Sequence, residues 1–110
     1  MEMLATPLVR QLEVRDHALD ARAARRLVHD AEVLFRQGAH SVVVDLGQVS
    51  QLDSRGISAL LDVKRRTPPG GRVVLACLTP CAVTLLHLAR LHDCFDIFAD
   101  TSSALASLLA

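Results

Sequence analysis

The chain predicts an α/β domain: a mainly parallel sheet of roughly four strands covered by about four helices. Three observations carry this. Strand-like runs alternate with stretches of helical periodicity along the whole chain, an order that implies parallel strands joined by right-handed crossovers. The runs over 42–46 and 73–77 are apolar on both faces, as strands covered on both sides must be. The length of 110 residues, 51% of them hydrophobic, suits one domain (1–110) with one compact core.

The first strand is expected over 8–14, where Leu8, Leu12 and Val14 alternate imperfectly with polar residues. Asp20 is placed to cap the helix that follows. Its apolar stripe is Ala24, Leu27, Val28, Ala31, Leu34 and Phe35, with Arg22, Arg25, Arg26, Asp30 and Glu32 mainly on the other face. Gly38 ends that helix, and residues 42–46 form the second strand.

Ser54 or Asp53 caps a second helix carrying Ile57, Leu60 and Leu61, which ends in the cations Lys64, Arg65 and Arg66. Residues 67–71, Thr-Pro-Pro-Gly-Gly, are a turn. The third strand covers 73–77. Thr79-Pro80 starts a third helix, hydroxyl at the cap and proline at the first helical position, with Ala82, Leu85, Leu86 and Ala89 as its buried stripe. A short strand over 95–98 follows. Thr101 opens a last helix with Ala104, Leu105, Leu108 and Leu109 on one face. In such sheets the functional loops lie beyond the strand C-terminal ends, so residues 16–20, 47–56 and 78–80 are expected on one edge.

Composition narrows the function. Twelve basic and twelve acidic side chains cancel, leaving no basic field for nucleic acid. Trp and Tyr are absent and Phe occurs three times, so stacking on single strands is not expected. No apolar run approaches the ~20 residues that span a bilayer, and the N-terminus lacks the pattern of a secretory signal. Three cysteines, an odd number, fit a reducing compartment, so a cytoplasmic location is expected.

The segment over 50–61, Ser-Gln-Leu-Asp-Ser-Arg-Gly-Ile-Ser-Ala-Leu-Leu, stands out. It is a short polar loop at the mouth of a helix, entered from a buried strand. Its first exposed hydroxyl is expected to be Ser54. A phosphate there is expected to face free backbone N–H groups, with a mild effect inside the chain. Read from local pattern alone, Asp53 and Ser54 are equally an ordinary helix cap, and so is Asp20.

Residues 42–57, Val-Val-Val-Asp-Leu-(x)5-Leu-Asp-Ser-x-Gly-Ile, resemble the central motif of the STAS domain family, the anti-sigma factor antagonists. Leu19-Asp20-Ala21-Arg22 is similar to the segment opening that family's first helix. Thr79-Pro80 and Phe95-Asp-Ile-Phe followed by Ala104-Leu105 fit its C-terminal half. The resemblance covers about 8–110. It implies a non-enzymatic protein switch without a cofactor, in which the serine after the aspartate, Ser54, is the phosphoacceptor. It also implies that Asp20, Asp53, Ser54, Arg55, Gly56 and Ile57 meet the partner. The implied partners are an anti-sigma factor of the serine-kinase type and a serine phosphatase, with transcription regulated indirectly.

The chain departs from the family in three places. Arg55 stands where a small hydroxyl residue is common, and could pair with a phosphate or meet an acidic partner. His17-Ala18 replaces Gly-Glu, and an additional first strand would have to come from residues 1–5 and make the sheet mixed. The alternative reading is an unphosphorylated adaptor or scaffold subunit of a signalling or membrane-transport complex.

Other constellations are weaker. The spacing of Cys77, Cys81, His87, His92 and Cys94 matches no standard zinc pattern, and Cys77 and Cys94 are expected in strands as small buried residues. No Gly-x-Ser-x-Gly elbow is present, and His17 is the only histidine expected at the loop edge, so a catalytic triad is not supported. Gly70-Gly71 lacks the lysine of a phosphate-binding loop.

Overall fold

The chain runs β1 (Leu8–Glu13), β2 (Ala18–Leu19), α1 (Ala21–Arg36), β3 (Ala39–Asp45), β4 (Gln51–Leu52), α2 (Ser54–Arg66), β5 (Val73–Ala76), α3 (Pro80–Leu88), β6 (Asp96–Phe98) and α4 (Thr101–Leu109). These elements are those of a computed structural model, which describes residues 8–109. Four strands form one sheet in the order β1-β3-β5-β6, every neighbouring pair parallel. The additional strand considered for residues 1–5 lies outside the described residues.

The strand order moves one way across the sheet. Crossovers of one hand then put every connecting helix on the same face. Accordingly α1, α2 and α3 share one core with Val42, Val44 and Leu75. The helix after the last strand, α4, covers the opposite face with Ala104, Leu105 and Leu108 against Val43, Val74 and Ala76. β3 lies between both layers, and Val42, Val43 and Val44 are each 0% exposed. Full burial of such a side chain contributes about 1.5–3 kcal/mol relative to exposure, an upper bound since denatured chains are partly compact.

The caps follow the side chains. Asp20 Oδ1 accepts the Ala23 N–H at 3.0 Å to start α1. Gln37 caps the other end, and Gly38 takes the left-handed φ of +102° that most residues avoid. Thr79 Oγ1 accepts the Ala82 N–H at 3.3 Å, with Pro80 in the first turn of α3. Asp100 precedes Thr101 and caps α4, accepting the Ser103 N–H at 2.7 Å, which holds its carboxyl below the usual range.

Several expectations are corrected. β5 stops at Ala76, and Cys77 turns out of the sheet with a left-handed φ of 64°. Cys94 lies in the turn before β6, and its carbonyl accepts a hydrogen bond from Lys64 Nζ. Both cysteines are half-buried rather than strand core. The fourth strand begins at Asp96, not Phe95. Ala89 is exposed because it already caps α3, and Leu109, at the end of α4, is 65% exposed. α3 ends in a Schellman arrangement: Arg90 N–H donates to His87 O at 3.0 Å and Leu91 N–H to Leu86 O at 2.9 Å, with Arg90 at φ 60° where glycine is usual.

Candidate functional site

A second, two-stranded sheet builds the site. β2 and β4 pair in parallel, Ala18 with Gln51 and Leu19 with Leu52. His17 O accepts the N–H groups of Ser50 at 2.8 Å and Gln51 at 3.0 Å. Leu19 and Leu52 are buried and anchor both strands in the main core. The next residue on each strand is a helix cap: Asp20 for α1 and Asp53 for α2. This short ladder therefore sets two helix N-termini and two carboxylates level with each other. The third loop joins the same edge, because Thr79 Oγ1 also donates to Val49 O at 3.0 Å.

Asp53, not Ser54, is the cap of α2. Its Oδ1 accepts the N–H of Arg55 at 2.9 Å and of Gly56 at 3.2 Å, while Oδ2 accepts from Arg55 Nη2 at 3.1 Å. The Gly56 N–H is the main cause that holds this carboxyl below the usual carboxylate range; Arg55 adds to it and desolvation opposes it. Ile57 N–H goes to Asp53 O at 3.1 Å.

This corrects one expectation. The amides of Arg55 and Gly56 are already engaged by Asp53, so a phosphate on Ser54 would not find them free. Its neighbours in the chain are the Asp53 carboxylate and the Arg55 guanidinium, which pair with each other.

Ser54 is the first residue of α2 and is exposed, as is Arg55. Asp20 is exposed and Asp53 half-buried, so these four side chains share the surface of the edge. Gly56 and Ile57 lie beneath it. Ile57 is half-buried against the core. Gly56 is buried, and a Cβ there would come within 2.7 Å of Leu19 O and Leu52 Cδ1 and 2.9 Å of Leu19 Cγ. Its lack of a side chain lets α2 sit tightly on β2.

Ser54 also stands at one end of an open groove of about 700 Å3 between α1 and α2. This groove is not among the features expected from the sequence. Its signal was present: Ser54, Ser58, Asp62 and Arg65 recur on one face of α2, facing Arg25, Val28 and Glu32 of α1.

The remaining candidates gain little. Among the described residues, no group of three or more metal-binding side chains comes together. The Cys77 thiol is pushed up by burial, with Asp45 beside it adding to the shift. His87 and His92 stack at 4.3 Å between ring centroids, away from the loop edge. Among the described residues, no helix is long and apolar enough to cross a membrane.

The STAS domain family model matches residues 6–104, and the chain belongs to that family. No curated protein sequence matches it. Among solved structures, a candidate anti-sigma factor antagonist from Thermotoga maritima, TM1081, has TM-score 0.75 at 14% identity, covering 99% of this chain and 92% of its own. A sulfate transporter family protein from Wolinella succinogenes has TM-score 0.77 at 18% identity, covering 96% of this chain and 88% of its own. The unphosphorylated anti-sigma factor antagonist SpoIIAA has TM-score 0.57 at 16% identity, covering 96% and 93%. At these identities the likeness speaks to the fold.

Proposed function

We propose that this STAS domain is a cytoplasmic protein-interaction switch, an anti-sigma factor antagonist controlled at Ser54. With Ser54 unmodified it binds an anti-sigma factor of the serine-kinase type through the edge carrying Asp20, Asp53, Ser54 and Arg55. The kinase transfers a terminal phosphoryl group from a nucleoside triphosphate to Ser54 Oγ, whose proton passes to the kinase. The complex then separates, and a serine phosphatase restores the hydroxyl with water. The observation that carries the reading is an exposed serine at the first position of α2, level with the caps of two helices.

The engaged amides strengthen the switch. A phosphate on Ser54 adds about −1.5 to −2 charges next to a carboxylate that already holds the Arg55 and Gly56 amides. Its charge therefore faces the partner. A buried, unpaired dianion at an interface costs several kcal/mol, and ~3–4 kcal/mol weakens binding some hundreds-fold.

A second reading is an adaptor in a transport complex, favoured by the structural likeness to the sulfate transporter family protein. The two differ in one comparison. Proteins retained from native cells by the Ser54→Ala variant should be lost with Ser54→Asp if the domain is a switch. An adaptor retains the same set with both variants.

A further inference from the structure

The groove between α1 and α2 has an apolar floor and walls with a small excess of positive charge. Ala24 and Ala59 are buried along its floor, with Val28 half-buried beside them. These small side chains let another backbone approach closely. The two acidic residues of the groove share one cation: Arg66 bridges Glu32 and Asp62. Arg55 is paired with Asp53. Arg25 of α1 and Arg65 of α2 are exposed, and neither has a carboxylate within ion-pair distance among the described residues. One free cation thus stands on each wall; Arg66 balances one of its two carboxylates, so among the described residues the groove keeps a small net excess of positive charge.

The dimensions suit a helix. From Ala21 to Glu32 the groove spans three turns, about 16 Å at 1.5 Å per residue. With the helix starts level, Arg25 and Arg65 are offset along it by about 10 Å, near two helical turns. We propose that this groove docks an amphipathic helix of a partner protein. That helix carries an apolar stripe flanked by carboxylates, roughly two turns apart on opposite sides. The apolar floor supplies burial, and Arg25 and Arg65 set its orientation and its preference for acid. The groove meets the edge of Asp20 and Asp53 only at its Ser54–Arg55 end, and its two anchoring cations, Arg25 and Arg65, lie outside that edge.

The test places a photo-crosslinking amino acid at Ser58, midway along the groove, in the full chain in its own cells, and maps the captured peptide by mass spectrometry. The expected product is a segment with net negative charge and apolar residues at i, i+3 or i+4, and i+7. Its yield should fall at least tenfold in the Arg25→Glu, Arg65→Glu double variant and persist in Ser54→Ala. Thermal unfolding should show the double variant folded, with a modest loss because Arg65 sits in the last turn of α2, where a cation is favoured. Capture of a basic or non-helical segment, of a second copy of this chain, of lipid or nucleic acid, or of nothing would overturn the proposal. So would an undiminished yield in a folded double variant. Because Ser54→Ala is included, failure here is distinct from failure of the switch.

Discussion

Replacing Gly56 by alanine gives a change whose sign depends on the geometry of the site. Within a helix, glycine is about 1 kcal/mol less favourable than alanine. An exposed or loosely packed Gly56 would therefore gain stability from the substitution. The structure predicts the opposite. The new Cβ lies 2.7 Å from Leu19 O and Leu52 Cδ1 and 2.9 Å from Leu19 Cγ. A leucine tip can move aside, but the carbonyl belongs to β2, which is held by β4 and by the bonds at His17. Overpacking costs typically ~1–3 kcal/mol, and a fixed backbone contact puts this case in the upper part of that range. Subtracting the propensity gain leaves a net loss of about 1–2 kcal/mol. For a domain of this size that is a fall in Tm of roughly 4–12 °C by calorimetry or circular dichroism. An unchanged or raised Tm would refute the close seating of α2 on β2, and with it the level placement of Asp20 and Asp53.

Thr79→Val removes both the cap of α3 and the bond to Val49 O, and should cost about 1–3 kcal/mol by urea unfolding, detaching the third loop from the edge. Arg90→Gly relieves a left-handed residue at the end of α3 and should raise stability by about 0.5–1.5 kcal/mol; no gain would mean that the Arg90 side chain contributes there. Asp53 has a depressed folded-state pKa, so its ionised form adds stability above the unfolded value near 3.9, lost as pH falls through the folded value. Asp53→Asn, a neutral cap, should therefore flatten stability against pH on the acid side while changing little near pH 7; an acid limb unchanged from the parent would contradict the cap assignment.

The sheet, the four helices and the gathering of three loops on one edge were legible because they rest on long periodic runs and strong punctuation. Val42, Val43 and Val44 announce a doubly covered strand, and Thr79-Pro80 a helix start. The ladder of β2 and β4 was not legible. Each strand has two residues, too few for any alternation, and their pairing follows from the tertiary placement of His17 and Leu52. Cys77 reads as a continuation of an apolar run, and only the backbone shows the chain leaving the sheet there. The Asp-Ser pair left its own cap ambiguous, since either side chain reaches an amide two or three residues on. Geometry resolves it for Asp53, and that leaves Ser54 outward. The α1–α2 groove needed two helices brought together, which neither sequence segment states alone.

In the proposed switch, Ser54 carries the modification. Its most direct test is phosphopeptide mapping of the protein purified from its own cells, with Ser54→Ala as control. A phosphate on the peptide containing Ser54 is expected, absent from the variant and varying between growth and stress. An unmodified Ser54 under both conditions would contradict the switch and favour the constitutive adaptor.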